Sequence, residues 1–159
     1  MKIRRAENRD IPDVLDLLVQ VCMVHHIARP DLFNGPGTKY DAEQLVKIFA
    51  DDSTPVFVAT EEIDGKEKVV GHCFCIFEET PENASRKKVR TLYIDDLSVD
   101  REMRGRKIGT ALFEHVRSYA KASNCYNITL HVWTGNDPAA AFYDRCGMAS
   151  QYTCLETIL

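Results

Sequence analysis

A chain of 159 residues is one domain long and can bury about two thirds of its unfolded surface, so it needs no disulfide staples. Its 45% hydrophobic and 28% charged residues are ordinary for a soluble globular protein. The net charge of −4 argues against a general nucleic-acid binder, and no apolar run approaches the about 18 residues of a membrane span.

In chain order, Lys2–Arg5 reads as a short strand, and the charged start has no apolar stretch behind it, unlike a secretory signal. Asp10 reads as a helix cap, with Pro12 in the first turn where a missing N–H does little harm. Ile11, Val14, Leu15, Leu18, Val21 and Cys22 keep the helical period and predict a helix to about His25. Arg29–Lys39 holds two prolines and two glycines and reads as a loop. Asp41 and Gln44 form a capping pair for a short helix through Ala42, Leu45, Val46 and Phe49. Pro55–Thr60, Val69–Phe77 and Val89–Val99 are apolar runs separated by polar turns, which predicts consecutive antiparallel strands. Ile108, Ala111, Leu112, His115, Val116 and Tyr119 mark one stripe of a helix ending near Ser123. Tyr126–Trp133 reads as a strand, Asp137-Pro138 starts a helix that Gly147 ends, and the tail from Met148 reads as one or two final strands. Strand–helix–strand–helix in this half implies a parallel crossover, hence a mixed α/β sheet in a single domain over residues 1–159. The six cysteines include no C-x-x-C pair and read as reduced thiols of a cytoplasmic protein. Cys73 and Cys75, two apart on one strand, share a face as small apolar filler.

The segment Leu97–Thr110 carries the clearest chemistry. A strand ends, Arg101, Arg104, Arg106 and Lys107 follow within seven residues, and a helix begins. The first turn of a helix leaves N–H groups without partners, and with the helix dipole they make a ready phosphate site. Gly105 and Gly109 let backbone approach a ligand closely. A solvated helix start has the same appearance, and neither a Walker A loop nor a G-x-G-x-x-G loop is present.

Arg104-Gly105-Arg106-Lys107-Ile108-Gly109 resembles the R/Q-x-x-G-x-G/A turn of the GNAT superfamily of acyl-CoA-dependent N-acyltransferases. Ile94–Val99 resembles the central strand of that family. Asn136–Met148 resembles its second signature, in which an Asn opens a short alanine-rich helix followed by an aromatic pair. The two segments lie about thirty residues apart in the expected order. The resemblance implies a GNAT-like central mixed sheet of six to seven strands with helices on both faces, and a site for acetyl-CoA. In that site backbone groups of Leu97, Ser98 and Val99 pair with the pantetheine arm. Arg104, Gly105, Arg106, Lys107, Ile108, Gly109 and Thr110 hold the pyrophosphate, and Asn136, Ala139 and Tyr143 lie against the cofactor. Lys107 departs from the pattern, because the family usually has glycine there. Its side chain must point away from the phosphate path, or the turn must shift.

The reaction so implied is direct transfer of an acetyl group to a primary amine of a small molecule or a protein. Tyr143 matches the usual general acid of the family, and a phenol with a pKa near about 10 stays protonated at neutral pH. The base is open between Asp95 and Asp96, which strand alternation points to opposite faces unless a bulge changes the parity, His131, and a chain of waters. His25, His26 and Phe33 lie between the first two helices, where related folds wall the acceptor pocket. Packing or surface exposure is the expected role for the two histidines and packing for Phe33, and a metal shared by the adjacent histidines is not expected. Asp95, Asp96, Glu78, Glu79 and Glu82 suit a cationic amine. The alternative is a catalytically silent acyl-CoA-binding sensor. Dimers are common among similar folds, so a homodimer is admitted; no nucleic-acid or membrane partner is expected.

Overall fold

The computed structural model describes all residues 1–159. Its elements run β1 (Lys2–Arg5), a 3-10 turn at Asn8–Asp10, α1 (Ile11–Ala28), α2 (Ala42–Ala50), β2 (Val56–Ile63), β3 (Lys66–Thr80) and β4 (Val89–Val99). A second 3-10 turn at Arg101–Met103 leads to α3 (Ile108–Ala122), β5 (Asn127–Leu130) and α4 (Asp137–Arg145). The order across the sheet is β1-β2-β3-β4-β5. The first three pairings are antiparallel, and α3 carries the chain across to a parallel β4–β5 pairing.

Local chemistry explains most of these elements. Asp41 accepts from the Gln44 N–H at 2.8 Å while the Gln44 side chain accepts from the Asp41 N–H at 2.9 Å, a reciprocal cap that starts α2. Asp10 does not cap α1 as its position suggests. Its carboxylate instead accepts from the Glu7 N–H and from both terminal nitrogens of Arg4, because β1 delivers that guanidinium directly above it. Asn8–Ala28 is long and apolar enough to cross a membrane, with 21 residues at a mean hydropathy of 1.4, contrary to the expectation that no run comes near that length. It lies against the sheet: Ile11, Val14, Leu17 and Leu18 are buried, and Asp13 accepts from the Val69 N–H at 2.9 Å.

The sheet separates two cores. On one face Val14, Leu17, Leu18, Leu45 and Phe49 of α1 and α2 meet Val56, Val58 and Phe74. On the other, Ile108, Leu112, Phe113 and Val116 of α3 meet Phe57, Cys73, Leu92 and Ile94. Helices therefore cover both faces. Gly71 is required where β3 passes under α3, since a Cβ there would sit 2.9 Å from the Ser98 carbonyl oxygen and 3.1 Å from Leu112 Cδ1.

Two expectations fail at the C-terminal edge. The sheet has five strands rather than six to seven, because the tail from Met148 forms no strand. A strand needs a ladder partner, and residues 149–159 run past the sheet held by side chains alone, chiefly Tyr152 on His131 and Glu156 on Arg29. β5 is also shorter than the apolar run from Tyr126 to Trp133, since its pairing with β4 ends at Ile94 and Leu130.

Candidate active site

The parting of β4 from β5 creates the cleft. β4 continues from Asp95 to Val99 with its β3 side paired and its β5 side without a strand. Backbone donors and acceptors along Leu97, Ser98 and Val99 thus face an opening into which an extended amide-bearing chain can add ladder-like hydrogen bonds. Leu97 and Val99 pack toward α3, Ser98 is buried on the opposite face, and the Arg104 Nε donates to the Val99 carbonyl at 3.2 Å.

The chain then turns into α3. Gly105 has φ +80° and Lys107 φ +63°, with Arg106 at negative φ between them. Such alternation makes successive N–H groups converge into an anion-binding concavity, which the unpaired first N–H groups of α3 extend. Ile108 is buried and anchors the helix start, while Arg104, Arg106, Lys107 and Thr110 are exposed. The left-handed conformation explains the family's glycine at 107. A lysine there carries backbone strain, but its exposed side chain leaves the concavity open. Ion pairs of the chain form elsewhere, around Arg4, Arg29, Lys39, Glu79 and Arg117, so the turn's cations keep their charge for a ligand.

α4 closes the cleft from the α3 side. The Asn136 side chain caps the helix, accepting from the Ala139 N–H at 3.4 Å, and both residues are half-buried. Phe142 packs against Gly109, where a Cβ would stand 3.4 Å from its ring and 3.5 Å from Val99. Tyr143 lies against Phe113 and Phe142, with ring centroids 6.3 and 5.0 Å away. Burial, followed by the nearby Cys73 and Asp96, pushes its hydroxyl well above the ordinary phenol range, so it stays neutral at every working pH.

Asp95 and Asp96 do not point to opposite faces. β3–β4 pairing shifts register between Phe74 and Cys75, which face Asp96 and Ile94, leaving Asp95 as the extra residue of a bulge. Ile94 and Leu97 both pack in the α3-side core, and the two carboxylates between them both serve the α1–α2 face. There they meet different partners. Asp95 receives Lys39 Nζ at 2.6 and 2.7 Å and the Tyr40 hydroxyl at 3.1 Å. Burial alone would lower the Lys39 ammonium, but Asp95 outweighs it and raises it above its ordinary value. Asp96 Oδ2 lies 3.1 Å from the Nε2 of His72, a fully buried residue of β3. With Nε2–H donating to the carboxylate, His72 Nδ1 is left as a buried atom without any partner, at a cost of about 1–3 kcal/mol.

His131 lies apart from this pair. It falls one residue beyond β5, exposed, between the hydroxyls of Tyr93 at 3.2 Å and Tyr152 at 3.1 Å. Farther along the same face Phe33 stands between His25 and Trp133, with centroids 5.1 and 5.4 Å away, and Arg29 covers Trp133 at 5.7 Å. His26 Nδ1 donates to the Phe33 carbonyl at 2.8 Å, so both histidines order the loop, as their expected packing role requires. Of Glu78, Glu79 and Glu82, Glu79 is engaged by Lys88 and Arg90. Sequence reasoning missed His72, Lys39 and Tyr40. A lone imidazole within the apolar run Val69–Phe77 was a usable signal for the first, whereas Lys39 and Tyr40 sit in a loop whose path no periodicity gives.

Comparison with known proteins agrees with this geometry. The Acetyltransferase (GNAT) family profile matches residues 21–148. Glucosamine 6-phosphate N-acetyltransferase of Arabidopsis thaliana is 26% identical over 106 residues, covering 67% of this chain and 65% of that protein, just under two thirds of its length. A protein of Bacillus halodurans, crystallised as a mutant, is 32% identical with a TM-score of 0.94 over 100% of this chain and 99% of its own. The crystal structure of the Arabidopsis enzyme (TM-score 0.72, 22% identity, 99% and 97% of the two chains) shares the fold. So does an aminoglycoside N-acetyltransferase in complex with CoA (TM-score 0.70, 13% identity, 99% and 98%). With a profile match over most of its length, and a split strand leading into a basic turn, this chain belongs to the acetyltransferase (GNAT) family.

Proposed function

We propose that the protein, as one catalytic domain over residues 1–159, transfers the acetyl group of acetyl-CoA directly to a primary amine. The strongest support is the continuity of the open β4 edge with the cationic turn. Leu97, Ser98 and Val99 suit the amides of pantetheine, and the concavity from Arg104 to Thr110 suits a pyrophosphate one arm's length away. Asn136 and Ala139 open the helix that lines the other side of the arm.

The transfer forms a C–N bond and breaks a C–S bond. The amine must shed a proton before or during attack, and the sulfur leaves with the electron pair of the broken bond. Tyr143, neutral and oriented by Phe113 and Phe142, donates a hydrogen bond to that sulfur. In an enclosed site the thiolate holds a proton more tightly than its ordinary pKa of about 8.5 suggests, which eases the final protonation. A carboxylate of β4 takes the amine's proton, and His131, held between the hydroxyls of Tyr93 and Tyr152, is the weaker candidate.

Relatives named for glucosamine 6-phosphate and an aminoglycoside favour a small-molecule amine as acceptor. Asp96, the β4 carboxylate without a Lys or Arg partner, favours a cationic one. Six free cysteines favour a reducing compartment such as the cytoplasm. The unpaired tail and the free edge of β5 support a homodimer.

Calorimetric titration with acetyl-CoA, with ATP and dephospho-CoA as controls, tests the reading, followed by thiol release over a panel of amines. Saturable binding that is tighter for acetyl-CoA than for ATP, with thiol release on at least one amine, is the expected result. Absence of binding withdraws the assignment of the turn. Binding without release on any amine leaves a silent acyl-CoA sensor.

A further inference from the structure

His72 Nδ1 is the one buried side-chain polar atom of the chain that has no hydrogen-bond partner. Its ring is 0% exposed and stands edge-on to Phe74 at 5.1 Å, among residues of β3 that are otherwise apolar or small. An aliphatic side chain of similar size would fill the same space without an orphaned ring nitrogen, at the loss of the one side-chain donor to Asp96. What the imidazole adds is a single contact, from Nε2 to Asp96 Oδ2.

The bulge makes the two carboxylates of β4 unequal. Both oxygens of Asp95 accept from Lys39, and Oδ2 also accepts from Tyr40, so its charge is neutralised and its lone pairs are committed. Asp96 has one donor on Oδ2 and no Lys or Arg partner, and it sits on the segment of β4 whose edge β5 has left open. The groups that face it are His72 and Cys73 from β3, Asp95 from β4 with its Lys39 and Tyr40, and Tyr143 from α4.

We propose that His72 is a positioning residue that fixes Asp96 as the general base of the transfer, a role that rests on the acetyl-transfer reading above. A proton on Nδ1 would be a buried donor with nothing to accept it, so the ring carries its proton on Nε2. A neutral donor of this kind orients the carboxylate without cancelling its charge. Held by Oδ2, Asp96 presents Oδ1 to the acceptor side. Oδ1 takes the proton of the amine, the nitrogen lone pair forms the C–N bond, and the C–S pair departs with sulfur, which Tyr143 hydrogen-bonds and which gains a proton from solvent as Asp96 returns its own to solvent. His72 neither gains nor loses a proton in the cycle, and its enclosed Nδ1 gives it no route to the amine.

The test uses His72→Met, His72→Gln and Asp96→Asn in the full chain, with turnover, acetyl-CoA affinity and pH–rate profiles measured for each. His72→Met is expected to lower kcat about 10- to 100-fold with acetyl-CoA affinity unchanged within about twofold. The acidic limb of its profile moves to higher pH, because the carboxylate has lost a donor to its charged form. His72→Gln keeps an N–H within reach of Oδ2 and is expected to recover to within about threefold of the parent. In the Asp96→Asn background His72→Met has no further effect. A folded His72→Met protein with parental kcat and profile overturns the proposal, as does His72→Gln no faster than His72→Met. Imidazole 15N NMR of the unsubstituted chain reads the tautomer without any turnover: a proton on Nδ1 sinks the pairing even if transfer is demonstrated. An acetyl-CoA-binding chain that turns over no amine sinks the transfer reading instead, whatever the tautomer.

Discussion

Arg4 and Asp10 show how one residue's environment sets a measurable property. Burial alone would raise the Asp10 carboxyl, but the Arg4 guanidinium at 2.7 and 2.9 Å and the Glu7 N–H bring it below the ordinary carboxylate range. A carboxyl depressed in the folded state contributes stability at pH values above its unfolded pKa of about 3.9, and that contribution fades as pH falls through the lower folded value. Chemical denaturation from pH 7 down to pH 2 is therefore expected to show a loss of stability below about pH 4, part of which disappears in Asp10→Asn. At pH 7 that variant is expected to lose about 2–3 kcal/mol, softened because Glu67 still neutralises Arg4. Equal slopes for parent and variant would remove Asp10 from the acid transition.

Among the elements, the turn into α3 carries the clearest departure from family pattern and the clearest reason for it. At φ +63° Lys107 stands where an L-residue costs about 1–2 kcal/mol, against about 0.5–1 kcal/mol of extra chain entropy lost by glycine. Lys107→Gly is expected to raise stability by about 0.5 kcal/mol in urea titrations. On the proposed reading, in which backbone N–H groups rather than this side chain hold the phosphates, acetyl-CoA affinity is expected to stay within about threefold. A tenfold loss of affinity would show instead that the lysine ammonium is a ligand. The turn was legible because its cations, glycines and following helical stripe are contiguous in sequence. The capping pair Asp41 and Gln44 was legible for the same reason. For Asp95 and Asp96 sequence could name a bulge only as an exception to alternation, because the bulge that puts both on one face depends on the register of β3, which no local pattern encodes.

For the molecule as a whole, the unresolved tension lies at the free edge of β5. Tyr152, Leu155 and Ile158 are 67%, 89% and 79% exposed in a segment whose residues favour strands, beside an edge that offers unpaired backbone groups. A second copy would supply what one copy lacks, namely a ladder partner for the tail and cover for the edge. Light scattering of the purified chain is expected to give a dimer, and a chain ending at Met148 a folded monomer. A monomeric full-length chain would refute the homodimer.

Hydrophobic period, turn chemistry and contiguous motifs were determined by the sequence itself, because each depends on residues within a few positions of one another. They were enough for the mixed sheet, the start of α2, the basic turn into α3 and the family. Tertiary structure decided the rest. The His72–Asp96 contact joins residues 24 positions apart and the Lys39–Asp95 contact residues 56 apart. Which carboxylate stays free, which one is neutralised, and where β5 leaves β4 to open the cleft all follow from such long-range packing, through a one-residue shift in strand register.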